Sequence, residues 1–100
     1  FTIPQEYNGM NLVGVASMVS TPSSSGLPTV QIRNITDTVD MLTTKLTVDA
    51  SEYNSYNATT PAVIDADHDD VATGDRIAID VDVAGTGAKG LEVLLLFRLA

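Results

Sequence analysis

The sequence predicts an all-β antiparallel domain, a sandwich or barrel with about seven or eight strands. Good helix formers are sparse, whereas Thr and Val are frequent. Gly, Pro, Asn and Asp interrupt the chain roughly every ten residues, the rhythm of short strands joined by turns. Several segments alternate apolar and polar residues with a period of two, which places aliphatic side chains on one face of a strand.

With 100 residues, 44% hydrophobic and 18% charged, the chain lies outside the disordered regime. It suits one domain, residues 1–100, with a single core. It opens on Phe1, with no initiator Met, basic n-region or signal-like apolar stretch, so a processed product, a fragment or one domain of a longer chain is expected.

Phe1 to Pro4 reads as a short extended segment and Glu6 to Gly9 as a turn. Asn11 to Ser20 reads as a strand, with Leu12, Val13, Val15, Met18 and Val19 in a mixed pattern that leaves its inward face open. Ser20 to Pro28 is a polar loop, Thr29 to Ile35 alternates as a strand, Asn34 to Asp40 turns, and Met41 to Val48 makes another strand. Glu52 to Thr60 is a polar, Tyr-bearing excursion, followed by a short edge strand at Pro61 to Ile64, where proline is tolerated.

Arg76 to Val83 is the clearest strand: Ile77, Ile79, Val81 and Val83 alternate with Arg76, Ala78, Asp80 and Asp82. Gly74 and Asp75 turn into it, and the glycine-rich Ala84 to Gly90 leads to a last strand at Leu91 to Leu99. The pair is expected to form an antiparallel hairpin with a long loop. In the last strand Leu91, Val93, Leu95 and Phe97 share one face, while Glu92, Leu94, Leu96 and Arg98 share the other, so its centre is apolar on both sides. Such a strand is covered either within its own domain or by a neighbouring subunit, and in the second case Leu94 and Leu96 are the expected interface.

Composition removes several classes of function. Five basic residues against 13 acidic ones give a net charge of −8, which repels nucleic acid and supplies no basic stripe. The absence of cysteine removes disulfides, thiolate nucleophiles and Cys-ligated metals. The longest apolar run, Val93 to Phe97, has strand length, so no membrane-spanning helix is expected.

The densest acidic cluster, Asp65, Asp67, Asp69 and Asp70, is a weak candidate for a hard cation. Read as a calcium loop it carries Asp70 in place of the turn glycine and Arg76 in place of the bidentate Glu, so a solvated turn capped by carboxylates is the favoured reading. His68, the only histidine, has no Ser, Cys or second His placed to complete a triad or zinc site. Asp80 and Asp82 form a carboxylate pair of the kind a glycosidase uses, but the chain has no Trp to line a sugar cleft. Gly85, Gly87 and Gly90 fit no phosphate-loop spacing. Asn34-Ile35-Thr36 and Asn57-Ala58-Thr59 match the glycosylation sequon and are read as chance. Tyr53 and Tyr56, flanked by Asn54 and Asn57, offer a contact surface for a glycan or partner, or else cover the edge of their own core.

In order along the chain, F-T-I-P with N-G-M-N-L-V, V-Q-I-R-N-I-T-D with M-L-T-T-K-L-T-V-D, and P-A-V-I-D with D-D-V-A-T-G-D-R-I-A-I-D-V-D and K-G-L-E-V-L-L-L-F-R resemble a family of tailed-bacteriophage virion structural domains. The most specific part is Gly74-Asp75, then Ile79-Asp80-Val81-Asp82, then Lys89-Gly90-Leu91-Glu92-Val93. The resemblance implies a jelly-roll β-sandwich on the phage particle surface, of capsid decoration, cement or fibre type, with no catalytic residues and no cofactor. It implies partners among its own copies, as a homotrimer, and a phage capsid or tail protein. The alternative is a receptor- or glycan-binding module of a tail fibre, presenting Tyr53 and Tyr56.

Overall fold

The computed structural model describes residues 1–99. It is an all-β antiparallel sandwich of eight strands: β1 (Met10–Met18), β2 (Thr29–Asn34), β3 (Val39–Asp40), β4 (Leu42–Thr44), β5 (Leu46–Thr47), β6 (Val63–Ile64), β7 (Ile77–Val83) and β8 (Glu92–Leu99). Single 3-10 turns occupy Gln5–Tyr7 and Ser55–Asn57.

One layer is the β1–β8 pair. The other has β2 at its centre, with β7 on one edge and β3 and β5 on the opposite edge, while β4 pairs with β6. Between them lies a core of Ile3, Leu12, Val30, Ile32, Met41, Leu42, Leu46, Val71 and Ile77, against which Val15, Val93, Leu95 and Phe97 pack.

The expected hairpin of the last two strands does not form. β7 pairs with β2, and β8 pairs with β1 in the facing layer. The glycine-rich segment therefore crosses between layers, with Gly85, Gly87 and Gly90 all at positive φ. Adjacency in sequence suggested pairing; long-range pairing offered each strand a better mate.

The single strand expected at Met41 to Val48 is also broken. Val39 and Asp40 pair with the end of β2, Leu46 and Thr47 pair with its start, and the residues between detour to β6. The Gln31 side chain fills the resulting gap in the ladder. Its Nε2 donates to the Leu42 carbonyl at 3.1 Å and its Oε1 accepts from the Leu42 N–H at 3.2 Å, as a backbone unit would. Gln31 is accordingly buried.

Along β7 the alternation also fails near its end. Val81 lies opposite Val30, but Val83 lies opposite Thr29, so one residue, Asp82, is inserted as a bulge. Cross-strand partners share a face, hence Ile77, Ile79 and Val81 follow the core-facing row of Asn34, Ile32 and Val30, and Val83 leaves it.

The amino-terminal segment completes the frame. Ile77 N–H donates to the Phe1 carbonyl, Ile3 N–H donates to the Asp75 carbonyl, and Thr2 bridges Arg76, so Phe1–Ile3 lies antiparallel beside the start of β7 as an isolated bridge. The Phe1 ring meets Phe97 of β8 edge-on at 6.3 Å. At this end of the sandwich, one short segment closes the space between β7 and β8.

Candidate functional site

The strands position two outward surfaces that the sequence nominates for contact. On β8, Leu94 lies opposite Ala16 and Leu96 opposite Gly14, in an antiparallel ladder that sends both leucines away from the core. They remain 41% and 52% exposed, whereas Val93, Leu95 and Phe97 on the reverse face pack inward. The small residues opposite them matter: a Cβ at Gly14 would lie 3.0 Å from Leu96 Cδ1, so the leucine drapes across β1 over the glycine. Val13, at the bulge in β1, is half exposed as well. The result is an aliphatic patch on a sheet face, bounded by Glu92 and Arg98 at the strand ends.

The second surface is the loop around the Ser55–Asn57 turn. Asn54 caps that turn by accepting from the Tyr56 N–H at 3.1 Å, the Tyr53 carbonyl accepts from Val19 N–H, and Ser55 Oγ accepts from Ser17 N–H. The loop is thus tied to the end of β1 by its backbone and by the Ser55 hydroxyl, and both tyrosine side chains are largely exposed, Tyr53 59% and Tyr56 72%. Rings this exposed do not cover the edge of their own core; the backbone bond from Val19 and the Ser55 hydroxyl secure the loop.

The acidic cluster forms a turn. Asp65 Oδ1 accepts from the Asp67 N–H at 3.0 Å, and Asp65 Oδ2 lies 2.8 Å from His68 Nδ1. That hydrogen bond holds the imidazole above its ordinary value and, with the Asp67 N–H, holds the Asp65 carboxyl below the usual carboxylate range. The Asp69 carbonyl accepts from Leu12 N–H and Asp70 bridges Asn11, so the turn is pinned to the edge of β1. Asp65, Asp67 and Asp69 do not converge: among the described residues no three metal-ligating side chains stand together.

Asp80 and Asp82 do not make a cleft either. Asp80 lies opposite Gln31, and Asp82, displaced by the bulge, holds the Lys45 ammonium at 2.7 Å. This contact raises the Lys45 pKa.

Two features escaped sequence reasoning. Asn34 and Asp75 are buried together; Asp75 Oδ2 accepts from Asn34 Nδ2 at 3.1 Å and from the Ala72 N–H at 3.0 Å, locking the turn before β7. Asn34 is therefore a structural residue, whatever its sequon match. The other is a hollow of about 180 Å³ between the layers, lined by Val19, Pro28, Val81, Ala88, Leu91 and Lys89. No local pattern announces it, because its walls come from four separate segments.

No family model, no curated protein and no solved structure matches the chain.

Proposed function

We propose that this domain is a non-enzymatic building block of a tailed-phage particle, of capsid decoration, cement or head-fibre type. It associates with its own copies as a homotrimer and docks on a capsid or tail protein at the particle surface. The observation that carries the reading is the outward pair Leu94 and Leu96, which puts two half-exposed leucines on a strand already filled with aliphatics on its other face. Leaving both in water is unfavourable by about 25 cal/mol per Å² of apolar surface, and a neighbouring copy removes that cost. The resemblance of the sequence to virion structural domains supplies the particle.

Light scattering across a concentration series tests it. The expected mass is three times the 10.5 kDa of one chain, falling to one chain mass in a Leu94→Lys/Leu96→Lys variant that keeps its β-sheet circular dichroism. Because every copy carries a charge of −8, added salt should strengthen the association. A wild-type monomer at all concentrations and salts overturns self-association through this face.

The exposure of Tyr53 and Tyr56 favours a second reading, a receptor- or glycan-binding module of a tail fibre. Binding to host polysaccharide that is lost in Tyr53→Ala/Tyr56→Ala, with the mass unchanged, would select it over the first.

A further inference from the structure

The outward row of β8 is polarised from end to end. It reads Glu92, Leu94, Leu96, Arg98, and each side chain shares its face with its partner on β1: Met18, Ala16, Gly14 and Asn11. An acid stands at one end of the half-exposed leucines and a base at the other, both of them exposed. Among the described residues neither Glu92 nor Arg98 is ion-paired. Other charges lie at the margins of this face. Asp70 continues the Arg98 row beyond Asn11, while Lys89 precedes β8 and Glu52 precedes Tyr53, whose carbonyl holds Val19 past the Glu92 end. β1 itself carries no charge.

Within one chain the two charges are too far apart to meet. At about 3.3 Å per residue the row from Glu92 to Arg98 spans about 20 Å. Between copies set head to tail they do meet, because the acid at the end of one row then stands beside the base at the start of the next. Three rows closed in this way outline a triangle with sides of about 20–25 Å, whose centre lies about 6–7 Å from each strand. Packed sheet faces stack about 10 Å apart, so a side chain reaches about 5 Å toward the midplane, and the leucines of three copies converge near that centre.

We propose that the trimer closes head to tail, with Glu92 of each copy against Arg98 of the next and Leu94 and Leu96 of all three turned toward the axis. This rests on the reading of the domain as a homotrimer and adds what orders the copies around the ring. The contact is heterologous: one end of the row meets the other end of its neighbour, and the third copy returns to the first. Each pair is an exposed ion pair of small individual worth, but the ring contains it three times, and reversing either charge puts like charges together at every corner.

The test is sedimentation equilibrium at low salt on Glu92→Arg, Arg98→Glu and the double reversal, with circular dichroism confirming the fold of each. Glu92→Arg makes the chain less negative by two charges and Arg98→Glu more negative by two, so net charge alone would move their association in opposite directions. Head-to-tail pairing weakens both, by about 5-fold per contact and about 100-fold for the whole ring, and the double reversal restores the wild-type constant. Both losses shrink as salt is added. An equal mixture of the two single variants recovers to within about 5-fold of the wild type, because a ring of three always keeps one like-charge contact. The proposal is overturned if the single variants shift in opposite directions, or if the folded double reversal fails to restore association. It is also overturned if the mixture regains full strength at two chain masses, the mark of a two-fold contact. A wild-type trimer indifferent to both reversals overturns this inference alone; a wild-type monomer overturns it together with the trimer.

Discussion

The two halves of β7 carry the same alternation and share the same neighbour, β2, yet they end in different environments. Ile77 is buried; Ile79 and Val81, two and four residues later in the same row, are half in water. The difference lies on the other side. Phe1–Ile3 flanks the first half and brings Phe1 down onto Phe97, whereas none of the described residues flanks the second. A period of two therefore specifies which face a side chain occupies, and a second neighbour specifies whether that face is dry.

Truncating the same row at its two ends is the strongest way to break this comparison. Ile77→Ala should lower unfolding free energy by about 2–5 kcal/mol, because it leaves a cavity among Ile3, Ile32 and Leu12. Val81→Ala should cost less than about 1 kcal/mol, because half of that side chain already meets water. Urea titrations with matching slopes read both. Equal losses would mean that the second half of the strand is as well covered as the first.

The paired end also rests on a buried polar contact that the open end lacks. Asp75→Ala would strand Asn34 Nδ2 and the Ala72 N–H, leaving Asn34 with its longer contact to Asp37 at 3.3 Å. Leaving such groups unsatisfied costs about 1–3 kcal/mol. Thermal and urea unfolding of Asp75→Ala should show that loss, and a change within the scatter of surface substitutions would mean that water replaces the carboxylate and that the end is held by packing alone.

Much of this was legible in the sequence. The fold class, the positions of β1, β2, β7 and β8, and the inward row of Val93, Leu95 and Phe97 follow from alternation and turn residues, because both are local properties of the chain. The hairpin of β7 and β8 that the sequence suggests does not form, because local signals mark where strands end and not which strands pair. The break between β3, β4 and β5 was invisible because it depends on Gln31, a polar residue on another strand, standing in for backbone. The bulge at Asp82 had the same kind of cause: I-A-I-D-V-D-V alternates without fault, and only the register against Val30 and Thr29 shows that Val83 leaves the row. At the candidate surfaces, residue type marked Leu94, Leu96, Tyr53 and Tyr56, while the hollow beside Val81 needed the packing of both layers.

The smallest expected effect concerns the acidic turn, whose side chains do less than its backbone. Leu12 and Asn11 anchor the turn through Asp69 and Asp70, so the His68–Asp65 contact adds to a segment already held. The imidazole is exposed and the carboxylate only partly buried, and the contribution is correspondingly slight. Its pH dependence nevertheless has a definite sign. The folded imidazole titrates above its ordinary 6.5, so its contribution is complete below 6.5 and disappears as pH rises through the raised value. The Asp65 carboxyl titrates below its ordinary 3.8, so its contribution is complete above 3.8 and disappears as pH falls through the lowered value. The melting temperature of the wild type should therefore exceed that of His68→Gln most between pH 3.8 and 6.5, and the two should converge toward alkaline pH. Proton NMR of the His68 ring gives the independent check: Asp65→Asn should bring its titration back toward 6.5. An unchanged midpoint in that variant would assign the raised value to the diffuse field of Asp67 and Asp70 instead of to the hydrogen bond, and would leave the turn held by its backbone alone.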